Sequence, residues 1–303
     1  MKYLYNPIVL KDDRTKGLAA LFGAIILGGA VSPFIKVALK EVNPETFSFL
    51  RFLISGAILF PLLIKSGIKL DRNLIKLFCV SLLGTANILL FAFGIRLTSA
   101  SVGQTLYILS PIIIAILSYF LLKEKLGNRK VLGIAIGSLG GIILVVFPIL
   151  EKTSTLGSVE GNLLIALAVL SFSLYSYFSK KLQSNYSPIQ ITMAFSVTTV
   201  VLLLLPVIGG FNQNVSLVTH ASLETILSIL YVGAIGTAIY YALYQYGLKH
   251  AGLTTSSTLL FYLQPLTTIF YSYFLLAEFP TAGFVIGALV TAVGAWLVMR
   301  AKN

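Results

Sequence analysis

Ten apolar runs of about twenty residues each fill almost all of this chain, at 17–38, 44–65, 74–96, 100–122, 130–150, 161–180, 187–208, 224–248, 253–277 and 280–299. Crossing the hydrocarbon layer of a bilayer takes about twenty residues of helix. No water inside that layer satisfies backbone amides and carbonyls, so a spanning segment must pair its own. The runs are continuous and do not alternate apolar with polar residues, which argues against a transmembrane barrel. The expected fold class is all-α integral membrane, with ten transmembrane helices.

Composition agrees with that reading. Of 303 residues, 57% are apolar and 11% charged, where a soluble chain carries about 25% charged. A net charge of +12 would suit nucleic acid only if the basic residues clustered on a soluble face. They sit instead in short gaps between the runs, so the expected surroundings are a lipid bilayer and no nucleic acid. Cys79 is the single cysteine and lies inside a run, while His220 and His250 fall in different gaps. No internal disulfide can form, and neither a metal nor a cofactor is expected. The start, MKYLYNPIVLKDDRTKG, is too polar for a secretory leader.

Lysine and arginine stay on the cytoplasmic side of a membrane. Counted over alternate gaps, 17 lie on the side of both termini and 4 (Lys36, Lys40, Arg96 and Lys152) on the other, with Arg51 inside the second run. The chain is expected to be a multi-pass protein of the cytoplasmic membrane with both termini in the cytoplasm.

Two strings sharpen this picture. SYFLLKEKL at 118–126 closes run 4, and SYFLLAEFP at 272–280 closes run 9. The motif recurs, but Lys123 and Lys125 give way to Ala277 and Phe279, as expected if the first copy ends in the cytoplasm and the second outside. Each half holds five runs, an odd number, so the second half starts from the opposite face: an inverted-topology repeat. Ser32, Phe34, Lys36 and Asn43-Pro44 recur 144 residues on as Ser176, Phe178, Lys180 and Ser187-Pro188. Gly94-Ile95-Arg96 recurs as Gly247-Leu248-Lys249, Ser110-Pro111 as Gln264-Pro265, and Gly133 and Gly140 as Gly287 and Gly294. The organisation expected is a cytoplasmic segment at 1–16, a first five-helix repeat at 17–150 and a second at 161–300.

Inverted repeats place substrate sites near the midplane, where the halves meet. Polar residues deep in the runs are therefore the candidates: Asn87 in run 3, Gln104 and Tyr107 on one face of run 4, and Ser171 and Tyr175 in run 6. Run 8 adds Gly233, Thr237, Tyr240 and Tyr244 at helical spacing, and run 9 adds Thr258, Tyr262 and Gln264. Each has an alternative use, since such side chains also join helices by hydrogen bonds. Pro33, Pro111 and Pro265 are expected to kink or hinge their helices. Lys36 and Arg51 are expected to snorkel outward or pair with Glu41 or Glu45, with gating or substrate contact as the alternative. Glu124 and Glu278 are expected to cap or bridge the ends of runs 4 and 9. Gly133-x-x-x-Gly137 and Gly283-x-x-x-Gly287 are expected to pack runs 5 and 10 within the chain, a homodimer being the alternative. No Asp or Glu sits at mid-depth, which disfavours proton antiport through a central carboxylate and strongly cationic substrates. Neither a nucleophile with its base nor a phosphate-binding loop is present, so an enzyme or an ATP-driven pump is not expected.

The ordered set of Gly28, Ser32 and Lys36, Asn43-Pro44, Arg51-Phe52, Ser110-Pro111 with Glu124, and Leu263-Gln264-Pro265 with Glu278 resembles the drug/metabolite transporter superfamily, in its EamA branch. That family usually has Trp where this chain has Leu27 and Glu where it has Gln264. The resemblance implies a secondary carrier of small metabolites, often an exporter, with a substrate cavity lined by runs 1, 3, 4, 6, 8 and 9. The expected substrate-binding set is Ser32, Asn87, Gln104, Tyr107, Tyr175, Tyr240, Tyr244, Tyr262 and Gln264, with no catalytic residue. Tyrosines and amides without acids suit a neutral or zwitterionic solute, an amino acid first. A phosphorylated metabolite, an organic cation, or a scaffold or sensor that transports nothing are the alternatives.

Overall fold

The structure, a computed structural model, describes residues 7–67, 71, 73–98, 103–104, 106–121, 123, 126–150, 158–276 and 282–301. Among these residues there are helices and no strand. In chain order they are α1 (Pro7–Gly29), α2 (Val31–Ala38), α3 (Pro44–Ser66), α4 (Leu74–Arg96), a 3-10 turn (Tyr107–Leu109), α5 (Ser110–Leu121) and α6 (Asn128–Leu150). The second half holds α7 (Val159–Leu182), α8 (Pro188–Gly209), α9 (Phe211–Thr219), α10 (Leu223–Gly233), a π-helical stretch (Ala234–Ile239), α11 (Tyr240–Ala251), α12 (Leu253–Leu276) and α13 (Ala282–Arg300). Six helical stretches among the described residues are long and apolar enough to cross a membrane: Asp13–Ala38, Pro44–Ser66, Leu74–Arg96, Val159–Leu182, Pro188–Gly209 and Leu223–Ala251. Tyr107–Leu121 and Val285–Arg300 are shorter apolar helices.

Helices follow the apolar runs, though not one to one. Run 1 breaks at Ala30, because Pro33 has no N–H to offer the carbonyl of Gly29. The same deficit at Pro111 coincides with the 3-10 turn just before it. Between runs 7 and 8 the chain forms the short helix α9, with Asn214 buried in its own contacts: its amide donates to Val207 O at 2.9 Å, and its Oδ1 accepts from Asn43 Nδ2 at 2.9 Å. Glu124 and Glu278 lie outside the described residues.

Repeated sequence signals turn out to be helix starts. Asn43 caps α3, accepting from Thr46 N at 2.8 Å, with Pro44 in the first turn. Ser187 caps α8 in a reciprocal capping box with Gln190, with Pro188 in the same place. Both devices satisfy amides that a helix start leaves unpaired, and proline there loses nothing.

Polarity is distributed inside out. Leu205, Phe120, Ile75 and Leu223 are at least 70% exposed, while Ser48, Ser55, Ser173, Ser176, Thr192 and Thr199 are wholly buried. Apolar side chains on the outside suit a lipid solvent, and hydroxyls on the inside bond other helices, as Ser55 does with Ser196 (3.0 Å) and Thr85 with Thr199 (2.8 Å).

The pairings obey an exchange of halves. α3 packs on α8, α5 on α12 and α6 on α13, each helix against its own repeat equivalent. α4 packs on α7, and the exchanged pairing, α11 on α1, is also made. Closest of these is α6 with α13. A Cβ added at Gly294 would stand 2.4 Å from the backbone nitrogen of Gly137, so the glycine faces meet within the chain, as expected.

Polar side chains tie the bundle ends. At one end Arg14 donates to Met299 O and Ala301 O, both at 3.1 Å, and Lys180 donates to Leu248 O at 2.6 Å. At the other, Lys36 donates to Thr98 O and to Ile95 O (3.4 Å), and Ser158 N donates to Leu97 O at 3.0 Å. Glu41 there accepts from Ser222 N at 2.8 Å at the start of α10.

Candidate functional site

A cavity of about 60 Å³ lies where α2, α3, α4, α7, the π stretch, α11 and α12 converge. That is room for a few waters and well below the ~300–1,000 Å³ of a ligand pocket. Hollows of about 400–500 Å³ exist on the flanks, between α3, α4, α7 and α8. Their walls are chiefly outward apolar side chains such as Phe60, Phe78 and Val201, which belong against lipid.

Six of the nine sequence-derived residues converge on the central cavity: Ser32, Asn87, Gln104, Tyr107, Tyr240 and Gln264. They are wired to one another across helices. Ser32 Oγ donates to Gln104 Oε1 at 2.9 Å. Asn87 Nδ2 donates to Tyr107 Oη and, at 2.9 Å, to Ala168 O. Tyr240 Oη donates to Gln264 Oε1 at 3.2 Å, and Gln264 Nε2 donates to Gly28 O at 3.0 Å, just before the break in run 1. Gly28 lets Tyr240 approach, since a Cβ there would lie 2.5 Å from the ring. Phe91, Phe172 and Phe261 supply the apolar wall, and Tyr107 stacks on Phe261 with centroids 5.3 Å apart.

Three expected residues point elsewhere. Tyr175 Oη accepts from Gln245 Nε2 at 3.0 Å, Tyr244 Oη donates to Ser176 Oγ at 2.9 Å, and Tyr262 Oη donates to Ile134 O at 2.7 Å. All three join helices and lie off the cavity wall. Ser171 likewise donates to Leu83 O at 2.7 Å.

Arg51 requires a correction. It neither snorkels nor meets Glu41 or Glu45. Only 3% exposed, it lines the cavity, and its Nε donates to Thr237 Oγ1 at 2.8 Å. The guanidinium lies 5.2 Å from the centroid of the Phe52 ring, a cation–π distance. Thr237 belongs to the π stretch, and its hydroxyl donates five residues back to Val232 O at 2.7 Å. Such stretches are rare and are frequent at functional sites. A signal for Arg51 exists in the sequence: seven residues past Pro44 at ~1.5 Å each puts it about 10 Å into the helix, too deep to read as an end residue. Tyr241 also lines the cavity, unmarked by the sequence reading. Lys36 differs, half-buried and directed to carbonyls at the helix ends.

With that geometry in hand, likeness to known proteins can be stated. The EamA-like transporter family matches this chain twice, over residues 15–147 and 159–300. An uncharacterized transporter of Bacillus subtilis, YdfC, is 30% identical over 273 residues, covering 88% of this chain and 86% of its own. An uncharacterized transporter of Archaeoglobus fulgidus is 26% identical over 297 residues, covering 96% of this chain and 99% of its own. A chloroplastic WAT1-related protein of Arabidopsis thaliana is 27% identical, covering 88% of this chain and 68% of its own. One solved crystal structure superposes with a TM-score of 0.73 over 94% of this chain and 98% of that one, at 18% identity, a likeness of fold.

Proposed function

The chain belongs to the EamA-like transporter family, and we propose that it is a secondary carrier that moves a small neutral or zwitterionic metabolite, an amino acid first, through the central cavity by alternating access. The observation that carries this reading is a polar cavity walled by helices of both halves, with Gln104 and Ser32 from one and Tyr240 and Gln264 from the other. A cavity between two such halves suits alternating access, and the breaks at Pro33 and Pro111 are the places to bend. Export as the direction rests on the family resemblance alone.

The topology proposed is ten spans in two inverted five-helix halves, in the cytoplasmic membrane, with both termini cytoplasmic. Its support is the 17-to-4 basic asymmetry, the pairings that survive exchange of halves, and the start of α1 lying against the end of α13.

Amino-acid flux in proteoliposomes tests the function. Gln104→Ala and Tyr240→Ala should each lower flux at least about ten-fold, on the order of one lost hydrogen bond to a charged group, while the protein stays folded. Normal flux in both variants removes these residues from the site. Cysteines placed singly at exposed Asn128 and Gln213 in a Cys79→Ser background test the topology. An impermeant thiol reagent on intact cells should label position 213 and not 128; the reverse result ends the inverted-repeat reading.

A further inference from the structure

Arg51 is the only charged side chain among the described residues that line the cavity, and almost none of its bonding capacity is used. A guanidinium carries five N–H donors. One of them, on Nε, goes to Thr237, and the ring of Phe52 lies beside the charge. Neither terminal amine has a hydrogen-bond partner among the described residues, and neither is sealed away in protein; they open on the cavity that Arg51 lines. Buried charges ordinarily have a counter-charge, and this one has no carboxylate in contact among the described residues.

The bond to Thr237 decides which face is left. The Thr237 hydroxyl gives its own hydrogen to Val232 O, so toward Arg51 it only accepts. With Nε held there, the two terminal amines present the end-on fork that grips a carboxylate through two parallel bonds. Among the described residues the Tyr241 hydroxyl has no hydrogen-bond partner on the same wall, and neither has Asn87 Oδ1, its amide nitrogen being committed to Tyr107 and Ala168.

We infer that Arg51 is the receptor for one carboxylate of the carried solute, and that Thr237 is the residue that positions it. This deepens the carrier reading and rests on it. The class selected is the monocarboxylates, α-amino acids and hydroxy acids among them. Amines would set a second cation beside the guanidinium. Phosphate esters bring a second negative charge that no second lining cation among the described residues answers.

The experiment uses the full chain in proteoliposomes and measures counterflow of the twenty amino acids, their amides, the matching decarboxylated amines, lactate and inorganic phosphate. Acids should be carried and the amides at least about thirty-fold less, as expected when a buried charge pair loses a partner. Arg51→Gln should abolish carriage of acids to the same extent without lowering Tm, because it removes a charge that lacks a partner. Arg51→Lys should keep part of the flux. Thr237→Val should raise KM about ten-fold and leave Vmax nearly unchanged, a split that a purely structural role would not produce. Amides or amines carried as well as acids, full flux in Arg51→Gln, or a Tm collapse in that variant would each overturn the inference and leave the carrier reading standing. Absence of saturable flux for every probe in the parent chain would overturn both.

Discussion

Position 51 in the first half corresponds to position 195 in the second, 144 residues on, and position 84 corresponds to 237, 153 residues on. The structure brings these positions together in two equivalent crossings. In one, Arg51 of α3 reaches Thr237 of the π stretch. In the other, Phe195 of α8 lies on Gly84 of α4, where an added Cβ would stand 2.7 Å from the ring. Elsewhere the halves agree closely. Lys36 donates to Ile95 O and Lys180 to Leu248 O, which are equivalent atoms. Tyr107 stacks on Phe261, its own repeat counterpart. Duplication thus supplies a scaffold in which equivalent residues meet, and one crossing departs from it by holding a cation and a hydroxyl where its twin holds aromatic packing. That twin crossing is the control for what a purely structural contact looks like at this place in the fold.

The largest expected effect follows from the contrast. Phe195 is fully buried among Phe52, Tyr175 and Tyr241, with ring centroids 4.7 to 5.2 Å away. Truncating it to Ala should cost about 3–5 kcal/mol in lost transfer energy and cavity formation. Arg51→Met, at the equivalent position, should leave stability unchanged or raise it. Thermal unfolding in detergent reads both. Equal losses would mean that Arg51 is as structural as Phe195, and the contrast would be gone.

A second experiment asks whether the two crossings are interchangeable. Arg51→Phe with Thr237→Gly writes the second half's pair into the first. Residues in contact couple by about 0.5–3 kcal/mol, so the double variant should be more stable than the single losses add up to, with flux lost in Arg51→Phe and in the double variant and KM raised in Thr237→Gly. Simple additivity would show that the equivalence holds in sequence but not in packing.

What the sequence discloses and conceals divides along physical lines. Helix positions are legible because lipid demands long apolar runs, and Asn43-Pro44 and Ser187-Pro188 are legible because capping chemistry depends on a few adjacent residues. Convergence on the cavity is legible only in part. Tyr240 and Tyr244 are four apart and share a face, yet Tyr240 meets Gln264 and Tyr244 meets Ser176. Helical spacing says which residues share a face and is silent about which neighbour that face meets. The π stretch leaves no residue pattern at all, since its extra residue per turn is a matter of backbone bonding, and it is this stretch that sets Thr237 against Arg51. Arg51 itself is masked by the ordinary habit of basic residues to snorkel.

The matched lysines should give a smaller effect. Lys36 and Lys180 each donate to carbonyls at a helix end, a favourable place for a cation. Both are half-buried, so solvent screening reduces their value. Lys36→Met and Lys180→Met should each cost about 1 kcal/mol and agree to within about 0.5 kcal/mol. A loss confined to one lysine would break the symmetry at the bundle ends as well as at the cavity.

The smallest effect concerns Glu41, whose counterpart 144 residues on is Asn185, a group that does not titrate. Glu41 accepts from the backbone N–H of Ser222 at 2.8 Å and from its hydroxyl at 3.1 Å. The backbone bond, foremost, holds its carboxyl below the usual carboxylate value, with the Thr225 hydroxyl adding to the effect. A lowered folded pKa means that the charged form is favoured by folding. Its contribution is therefore complete above the ordinary carboxylate pKa of ~4.3 and is lost as the pH falls through the lowered folded value. Glu41 is exposed, so the effect is confined to the junction it clamps. Amide hydrogen exchange at Ser222 and Thr225 should be steady from neutral pH down to that range, after correction for intrinsic rates, and accelerate below it. Glu41→Gln should flatten the profile, and Asn185→Gln should leave it as it is. An unchanged profile in Glu41→Gln would assign the acid sensitivity to another group and leave the matched junctions at Glu41 and Asn185 without this difference.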